Sequence, residues 1–276
     1  MNRLNFDEPA LENKWVFMSV FCSREEWHVL LGAIRKRLVV LRKDGLALEK
    51  TFVYLSLRRG PSIRLALYFK KVTEEDCRAV EKSIDEILAK NPSAVQAGGM
   101  PIGSFFMDFP HHQVKYNLFD EVYILPRGLE HIQGLLSTIL CKFFEDHPVD
   151  GEGIFTLLIY LQREIIEHAF SKASERMEFC SHIVNDLARD ESDKVESSSH
   201  REEFRQPVVF QETEGQEDVF DLLSRFGEAC AALCRSDRDA VKVYTTLLHL
   251  IQLHLFKIPR QEFLTSLSEL PVFFNH

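Results

Sequence analysis

The spacing of hydrophobic positions at the start of the chain is first strand-like and then helix-like. The run WVFMSVFC at 15–22 is short, aromatic and β-branched, as a buried strand is. Ser23 and Glu26 have the spacing of a capping box, and apolar residues then recur every three or four positions as far as Gly45. The pattern predicts a strand followed by a helix.

Two further strand-like runs, 51–57 and 62–69, flank the turn sequence Arg-Arg-Gly-Pro and predict a β-hairpin. Thr73 can cap a second helix, whose acidic first turn suits the positive end of the helix dipole and which should end at Asn91. An apolar run at 102–109 predicts another strand. The order β-α-β-β-α-β is that of a ferredoxin-like sheet with helices.

The chain after residue 126 has the apolar spacing of helices. It predicts helical segments at 129–144, 154–170, 176–188, 219–233, 240–258 and 261–270. Residues 189–216 are polar and acidic, with too little apolar surface to offset the entropy of ordering, and they predict a mobile linker. The predicted fold class is therefore α+β, with a ferredoxin-like part at 1–125 and a mainly helical part at 126–276, packed together as one domain.

Charge and cysteine usage narrow the classes of partner. The chain of 276 residues has 33 Lys and Arg against 42 Asp and Glu, a net charge of −9, which disfavours a nucleic acid as partner. Six cysteines without a CxxC pair predict reduced core thiols, and even Cys230 and Cys234, one helical turn apart, are interpreted as small core residues. With no long apolar stretch and no signal peptide, we expect a cytoplasmic protein without a membrane partner.

The familiar catalytic and nucleotide-binding motifs are absent from the sequence, including GxxxxGK[ST], GxGxxG, HExxH and GxSxG. Glu164 and His168, with His182, could be imagined as metal ligands, but an acid and a histidine four residues apart are more often an exposed helical pair. His111 and His112 could be ligands or bases, and on a loop they are more often solvated.

Two polar residues stand out in apolar surroundings. Arg64 lies inside the strand SIRLALYF, where alternation places it on one face with the small residues Ser62 and Ala66. His249 lies in the apolar helix TTLLHLIQLHLFKI, together with His254. A satisfied core histidine is the commoner interpretation for each. The alternative is an arginine that orients a carboxylate or enolate, with a histidine that moves protons.

These segments resemble a known family. TFVYLSLRRGPSIRLALYF is similar to the paired "FFIRY" and "gpHLRLR" strands in the C-terminal elimination domain of lantibiotic dehydratases and in standalone thiopeptide pyridine synthases. TTLLHLIQLHLFKIPRQEF resembles the family's "SLLHMHCNRLFGI" helix, so the likeness spans nearly the whole chain. It implies action on a ribosomally made precursor peptide, either by glutamate elimination from Ser or Thr or by a formal [4+2] cycloaddition of two dehydroalanines.

The resemblance also implies roles for particular residues. Arg64 matches the first arginine of the HLRLR strand, and His249 matches the histidine of the helix. By this likeness His249 would abstract the α-proton as a catalytic base, and Arg64 would stabilise the enolate or hold the carboxylate of the departing glutamate.

The sequence departs from the family pattern at several positions. Ser62 stands in place of a histidine, Ala66 in place of the second arginine, Leu55 in place of an arginine on the preceding strand, and His254 lies where the family has Asn-Arg. Two turn arginines could supply the missing charge. We therefore expect four substrate-binding residues: Arg58, Arg59, Ser62 and His254.

The resulting expectation is a standalone thiopeptide or lantibiotic biosynthesis enzyme that needs no metal or redox cofactor. Its expected partners are the precursor peptide, docked on an exposed strand edge, and a separate glutamylating dehydratase subunit. An alternative is a catalytically degenerate subunit that only binds or scaffolds the peptide. A third interpretation assigns the sheet to a homodimer interface, with Arg64 paired to an acid across it.

Overall fold

The computed structural model describes residues 15–57, 59–91, 109–116, 129–189, 218–236, 240–255, 265–268, 270–271 and 274. The chain divides into two compact units. The first consists of Met1–Val149 with Leu253–Lys257, and the second consists of Asp150–Gln252 with Ile258–His276.

The first unit contains a four-stranded antiparallel sheet and three helices. Its elements are β1 (Trp15–Phe21), α1 (Trp27–Lys43), β2 (Leu48–Ser56), β3 (Ser62–Phe69), α2 (Glu74–Lys90), β4 (Gln113–Tyr116) and α3 (Glu130–Asp146). The strand order is β2-β3-β1-β4, which is the arrangement of a ferredoxin-like sheet. The predicted α+β class is confirmed, and α3 joins this unit because it packs on α1 and β2.

Local sequence signals set the boundaries of these elements as expected. The Ser23 amide donates to the Glu26 carboxylate at 2.7 Å, which begins a short 3₁₀ turn that leads into α1. The Asp76 amide donates to the Thr73 hydroxyl at 3.1 Å at the start of α2. In the β2–β3 turn, Gly60 has a φ of 103°, a conformation that glycine adopts without steric cost.

Most of the strand predicted at 102–109 lies outside the described residues, and the described strand next to β1 comes later in the chain. Residues 101–108 lie outside the described part of the chain, Phe109 is not in a strand, and the strand that pairs with β1 is Gln113–Tyr116. Only Tyr116 of this short strand is buried, so the segment carries no apolar run that would reveal it.

The two faces of the sheet differ in what they contact. Met18 of β1 pairs with Tyr116 of β4, and the Tyr116 hydroxyl donates to Glu81 of α2 at 3.0 Å. Cross-strand partners share a face, so the face of Met18 and Tyr116 is the one turned toward α2. Ser19 and Arg64 point to the opposite face because successive side chains alternate along a strand.

The second unit is helical. It contains α4 (Gly151–Ala169), α5 (Ala173–Arg189), α6 (Val219–Ser236) and α7 (Ala240–His254), except that the last two residues of α7 count with the first unit. Residues 265–268 and 270–271 are also helical, and all but the last of them lie within the helix predicted at 261–270. The predicted linker at 189–216 lies almost entirely outside the described residues. None of the helices in the described part of the chain is long and apolar enough to cross a membrane.

Gly227 sets the distance between α4 and α6. A Cβ at this position would lie 2.7 Å from the Glu164 carbonyl oxygen and 2.7 Å from His168 Cδ2. Both distances are shorter than van der Waals contact, and one of the atoms belongs to the backbone. The close packing of these two helices therefore requires a residue without a side chain.

We expect Gly227→Ala to destabilise the protein. Overpacking lowers the free energy of unfolding by ~1–3 kcal/mol, whereas the better helix propensity of alanine raises it by at most ~1 kcal/mol. The matched control is Gly134→Ala in α3, where a Cβ would meet nothing within 4 Å and the free energy of unfolding should stay constant or rise. Urea unfolding of both variants provides the measurement, and equal stabilities would contradict the close approach.

Candidate functional site

A row of polar side chains crosses the face of the sheet that lies opposite α2. Ser19 of β1 pairs with Arg64 of β3, and Arg64 pairs with Tyr54 of β2. We call these three residues the polar row. Their exposed fractions are 0%, 1% and 1%, respectively. Because a buried guanidinium is costly without polar contacts, this row is the part of the sheet that is built for polar interactions.

His254 lies beside the polar row. Its ring centroid is 4.3 Å from that of Tyr54, with an angle of 35° between the ring planes, and the residue is fully buried. Its Nδ1 lies 2.6 Å from the carbonyl oxygen of Val53. The histidine thus contacts β2 twice, once through its ring face and once through the hydrogen bond.

The hydrogen bond fixes the tautomer of His254. A carbonyl oxygen only accepts, so Nδ1 carries a proton, and in the neutral ring Nε2 then keeps its lone pair. Burial lowers the pKa of His254 to about 3, an effect that the bond to Val53 only partly opposes. At neutral pH the imidazole is therefore neutral, with an acceptor nitrogen at Nε2.

The outer edge of β2 is closed by side chains at Val53. The Val53 amide donates to Ser137 Oγ at 3.0 Å, and the Ser137 hydroxyl donates to the Gln133 carbonyl within α3 at 2.8 Å. The Val53 carbonyl accepts from His254, and Leu55 forms a parallel bridge with Leu255. At these positions β2 cannot accept an added strand.

An aromatic cluster lies next to the polar row on the same face. It consists of Trp15, Phe17, Phe52 and Tyr68. The Trp15 ring centroid is 5.3 Å from that of Phe52 and 4.9 Å from that of Tyr68. Ala66, at 0% exposure, packs with Phe52 and Tyr54, so it joins the cluster to the row.

The predicted substrate-binding residues around the β2–β3 turn have different environments. Ser62 is fully buried, and its hydroxyl is 3.5 Å from the carbonyl of Ser56. Arg59 lies in the turn with a φ of 60°, and its carbonyl accepts from the Phe109 amide at 2.9 Å. Arg58 lies outside the described residues.

The two histidines of the α7 segment also differ. His249 is exposed and belongs to the second unit, whereas His254 is buried and belongs to the first. His249 is therefore not a core histidine. His254 is buried in the core and lies beside Tyr54, which pairs with Arg64.

Sequence reasoning missed Tyr54 and Ser19 as neighbours of Arg64. Each lies in an apolar strand and is unremarkable as a single residue. Only the strand register brings them together with Arg64, and a one-residue shift would turn them to the other face. The order of the hairpin strands alone would have suggested Tyr54, which lies ten residues before Arg64 across the turn.

Other chemically interesting groups form ordinary contacts. His168 Nε2 lies 3.4 Å from Glu164 Oε2 and 3.2 Å from Ser224 Oγ. Both partners meet the same nitrogen, whereas a Ser-His-acid triad uses one ring nitrogen for each. In the described ranges, no group of three or more potential ligands could hold a metal ion.

The loop histidine His112 is more than a solvated side chain. Its Nε2 lies 3.1 Å from Glu26 Oε1, and its amide donates to the Phe21 carbonyl at 2.6 Å. These bonds join the segment before β4 to the end of β1. The interpretation as a solvated histidine is wrong for His112, whose contacts are structural.

The cysteines have the predicted character. All six are buried free thiols: Cys22, Cys77, Cys141, Cys180, Cys230 and Cys234. Burial raises the pKa of the Cys22 and Cys141 thiols to about 12. These two thiols are therefore protonated at neutral pH and are poor nucleophiles.

The four-stranded sheet and its helices form a ferredoxin-like α+β part, and the second unit of the chain is helical. This fold is also that of the pyridine synthase TbtD from thiomuracin biosynthesis, with a TM-score of 0.59 and 14% sequence identity. The match covers 94% of this chain and 97% of the other. No model of a protein family and no curated protein matches the chain.

The neutral state of His254 predicts a pH dependence of stability. Between pH ~6.5, where a histidine in the unfolded chain gains a proton, and pH 3, the folded state keeps His254 neutral. The unfolded state then binds more protons, so stability falls as the pH is lowered through this window, by up to about 1.4 kcal/mol per pH unit. The measurement is urea unfolding between pH 4 and 7.

The comparison variant is His254→Asn, which lacks the titrating ring and keeps an amide that can donate to Val53. The slope of its free energy of unfolding against pH should be smaller by up to the contribution of one proton, about 1.4 kcal/mol per pH unit. Identical slopes for wild type and variant would show that His254 titrates alike in both states, which contradicts its neutral burial.

Proposed function

We propose that this protein acts on a ribosomally made precursor peptide in thiopeptide-type biosynthesis. The reaction is glutamate elimination to a dehydroamino acid or a related [4+2] cyclisation. The observation that carries the proposal is the buried polar row with His254 beside it. Arg64, which the family resemblance selects as the site arginine, lies at the centre of this row. The fold shared with a pyridine synthase over nearly the whole chain supports the same conclusion.

In the elimination, a base takes the α-proton, the electron pair forms the Cα–Cβ double bond, and the C–O bond breaks to release glutamate. Arg64 has the chemistry to stabilise negative charge that develops on the enolate oxygen, because a guanidinium presents several donors in a plane. His249 keeps the role that the resemblance implies, removal of the α-proton. Its exposed side chain is open to a substrate.

Arg58, Arg59, Ser62 and His254 remain the proposed substrate-binding residues. The edge of β2 is closed at Val53 and Leu55, and this limits where the leader segment of the precursor peptide could bind. A leader peptide that added to the sheet as a further strand would have to use another edge position. We propose a separate glutamylating subunit as the source of the substrate for elimination.

One observation favours a second candidate, a subunit that binds the peptide without transforming it. Arg64 is only 1% exposed, and Ala66 fills the position of the family's second arginine with a methyl group packed among aromatic rings. A site with one buried cation has less capacity to bind a carboxylate leaving group than a site with two.

The test is mass spectrometry of the precursor peptide encoded beside this protein's gene, in glutamylated form and with preformed dehydroalanines. We expect wild type to remove one glutamic acid per modified residue, or to cyclise the peptide and release the leader. Arg64→Lys keeps the charge but loses the planar fork, and His249→Ala removes the proposed base. Each should slow the reaction by ~10²–10⁴-fold.

Circular dichroism and thermal unfolding show whether each variant is folded before its activity is compared. His249→Ala is the more informative variant, because an exposed side chain contributes little to stability. If the peptide binds to wild type and its mass stays constant in both forms, the enzyme proposal fails and the binding subunit takes its place.

A further inference from the structure

Two buried atoms at the polar row have no hydrogen-bond partner within the described ranges. They are Oγ of Ser19, at one end of the row, and Nε2 of His254, which lies beside Tyr54 at the other end. Both residues have an exposed fraction of 0%. A buried polar atom without a partner costs free energy, and native proteins contain few of them. Two such atoms on one face of one sheet, on either side of Arg64, indicate a place for a ligand.

His254 and Arg64 offer different hydrogen-bonding chemistry. His254 Nε2 is an acceptor, because Nδ1 holds the only proton of the ring in its bond to Val53. Arg64 is only a donor, and its guanidinium has five N–H groups, so it can serve a ligand in addition to its existing contacts. Tyr54 lies between them, paired with Arg64 and stacked on His254.

A ligand that suits this arrangement has both an acceptor and a donor. A peptide amide offers a carbonyl oxygen to Arg64 and an N–H to His254. A carboxylate offers only acceptors, so its oxygens would repel the lone pair of Nε2. The chemistry of the row therefore distinguishes the amide groups of a peptide from a free carboxylate such as the glutamate leaving group.

We propose that the polar row binds a backbone amide of the precursor peptide, whose N–H donates to His254 Nε2 while Arg64 donates to a peptide carbonyl. This inference rests on the proposed function and names the substrate group that the site holds. His254 is here a substrate-binding acceptor that does not take the proton. Its lone pair stays available at neutral pH because burial keeps the imidazole neutral.

Ser137 is the positioning residue for this acceptor. Its hydroxyl accepts from the Val53 amide at 3.0 Å and holds the peptide group whose neighbouring carbonyl orients His254. Loss of the hydroxyl would leave a buried amide without its partner and loosen the support of the imidazole.

The experiment uses the whole protein labelled with ¹⁵N at histidine, observed by NMR, so that no turnover is needed. The probes are N-acetyl-dehydroalanine N-methylamide, which has two amides, and glutarate, which has two carboxylates and no amide. We expect the His254 Nε2 resonance to be that of an unprotonated nitrogen, to move on addition of the diamide, and to stay in place with an excess of glutarate.

The variants separate binding from folding. His254→Asn keeps a donor for the Val53 carbonyl and removes the acceptor, so diamide affinity should fall by about 10- to 100-fold. Ser137→Ala should broaden the Nε2 resonance or return part of it to the other tautomer. His131→Asn, at an exposed position on α3, is the matched control and should bind the diamide as wild type does.

Three results would overturn the inference: a protonated Nε2 at pH 7, an Nε2 resonance that the diamide leaves unchanged, or an equal response to glutarate. The proposed function can fail separately from the amide site. If the protein binds the diamide at His254 but leaves the precursor peptide unaltered, the amide site is supported and the proposed reaction is contradicted. Turnover that is unaffected by His254→Asn would retain the reaction and reject the amide site.

Discussion

The peptide groups of Val53 hold the candidate site together. A strand at the edge of a sheet has an N–H and a C=O that need partners, and here the hydroxyl of Ser137 and the imidazole of His254 supply them. Val53 of β2 thereby joins α3 and His254, the last residue of α7, within the first unit. The same two bonds close the edge against further strands and fix the tautomer of the buried histidine.

The buried polar side chains of the polar row lie on one face of the sheet only. The face of Met18 turns toward α2 and follows the ordinary rule that a sheet buries apolar side chains against helices. The other face buries Arg64 and Ser19 completely, at a cost that packing alone does not explain. In the amide site that we propose, Arg64 donates to the ligand, which gives its burial a functional use.

Much of the first unit could be predicted from sequence because its signals are local. The turn at Gly60 and the cap at Thr73 each act over a few residues, and they appear where expected. The fourth strand could not be found in this way, because Gln113–Tyr116 is short and partly exposed and depends on its pairing with β1. The site shows the same limit. Arg64 is conspicuous as a cation in an apolar run, whereas the importance of His254 depends on a bond to a residue 201 positions away.

The aromatic cluster explains why this site can have only one arginine on β3. A second arginine at position 66 would share the face of Arg64, where Ala66 already packs against Phe52 and Tyr54 at 0% exposure. A guanidinium there would displace those rings or bury a second positive charge beside the first, and both are costly. The alanine at position 66 and the neutral acceptor on His254 thus fit together. In the site that we propose, the row suits a group that both donates and accepts.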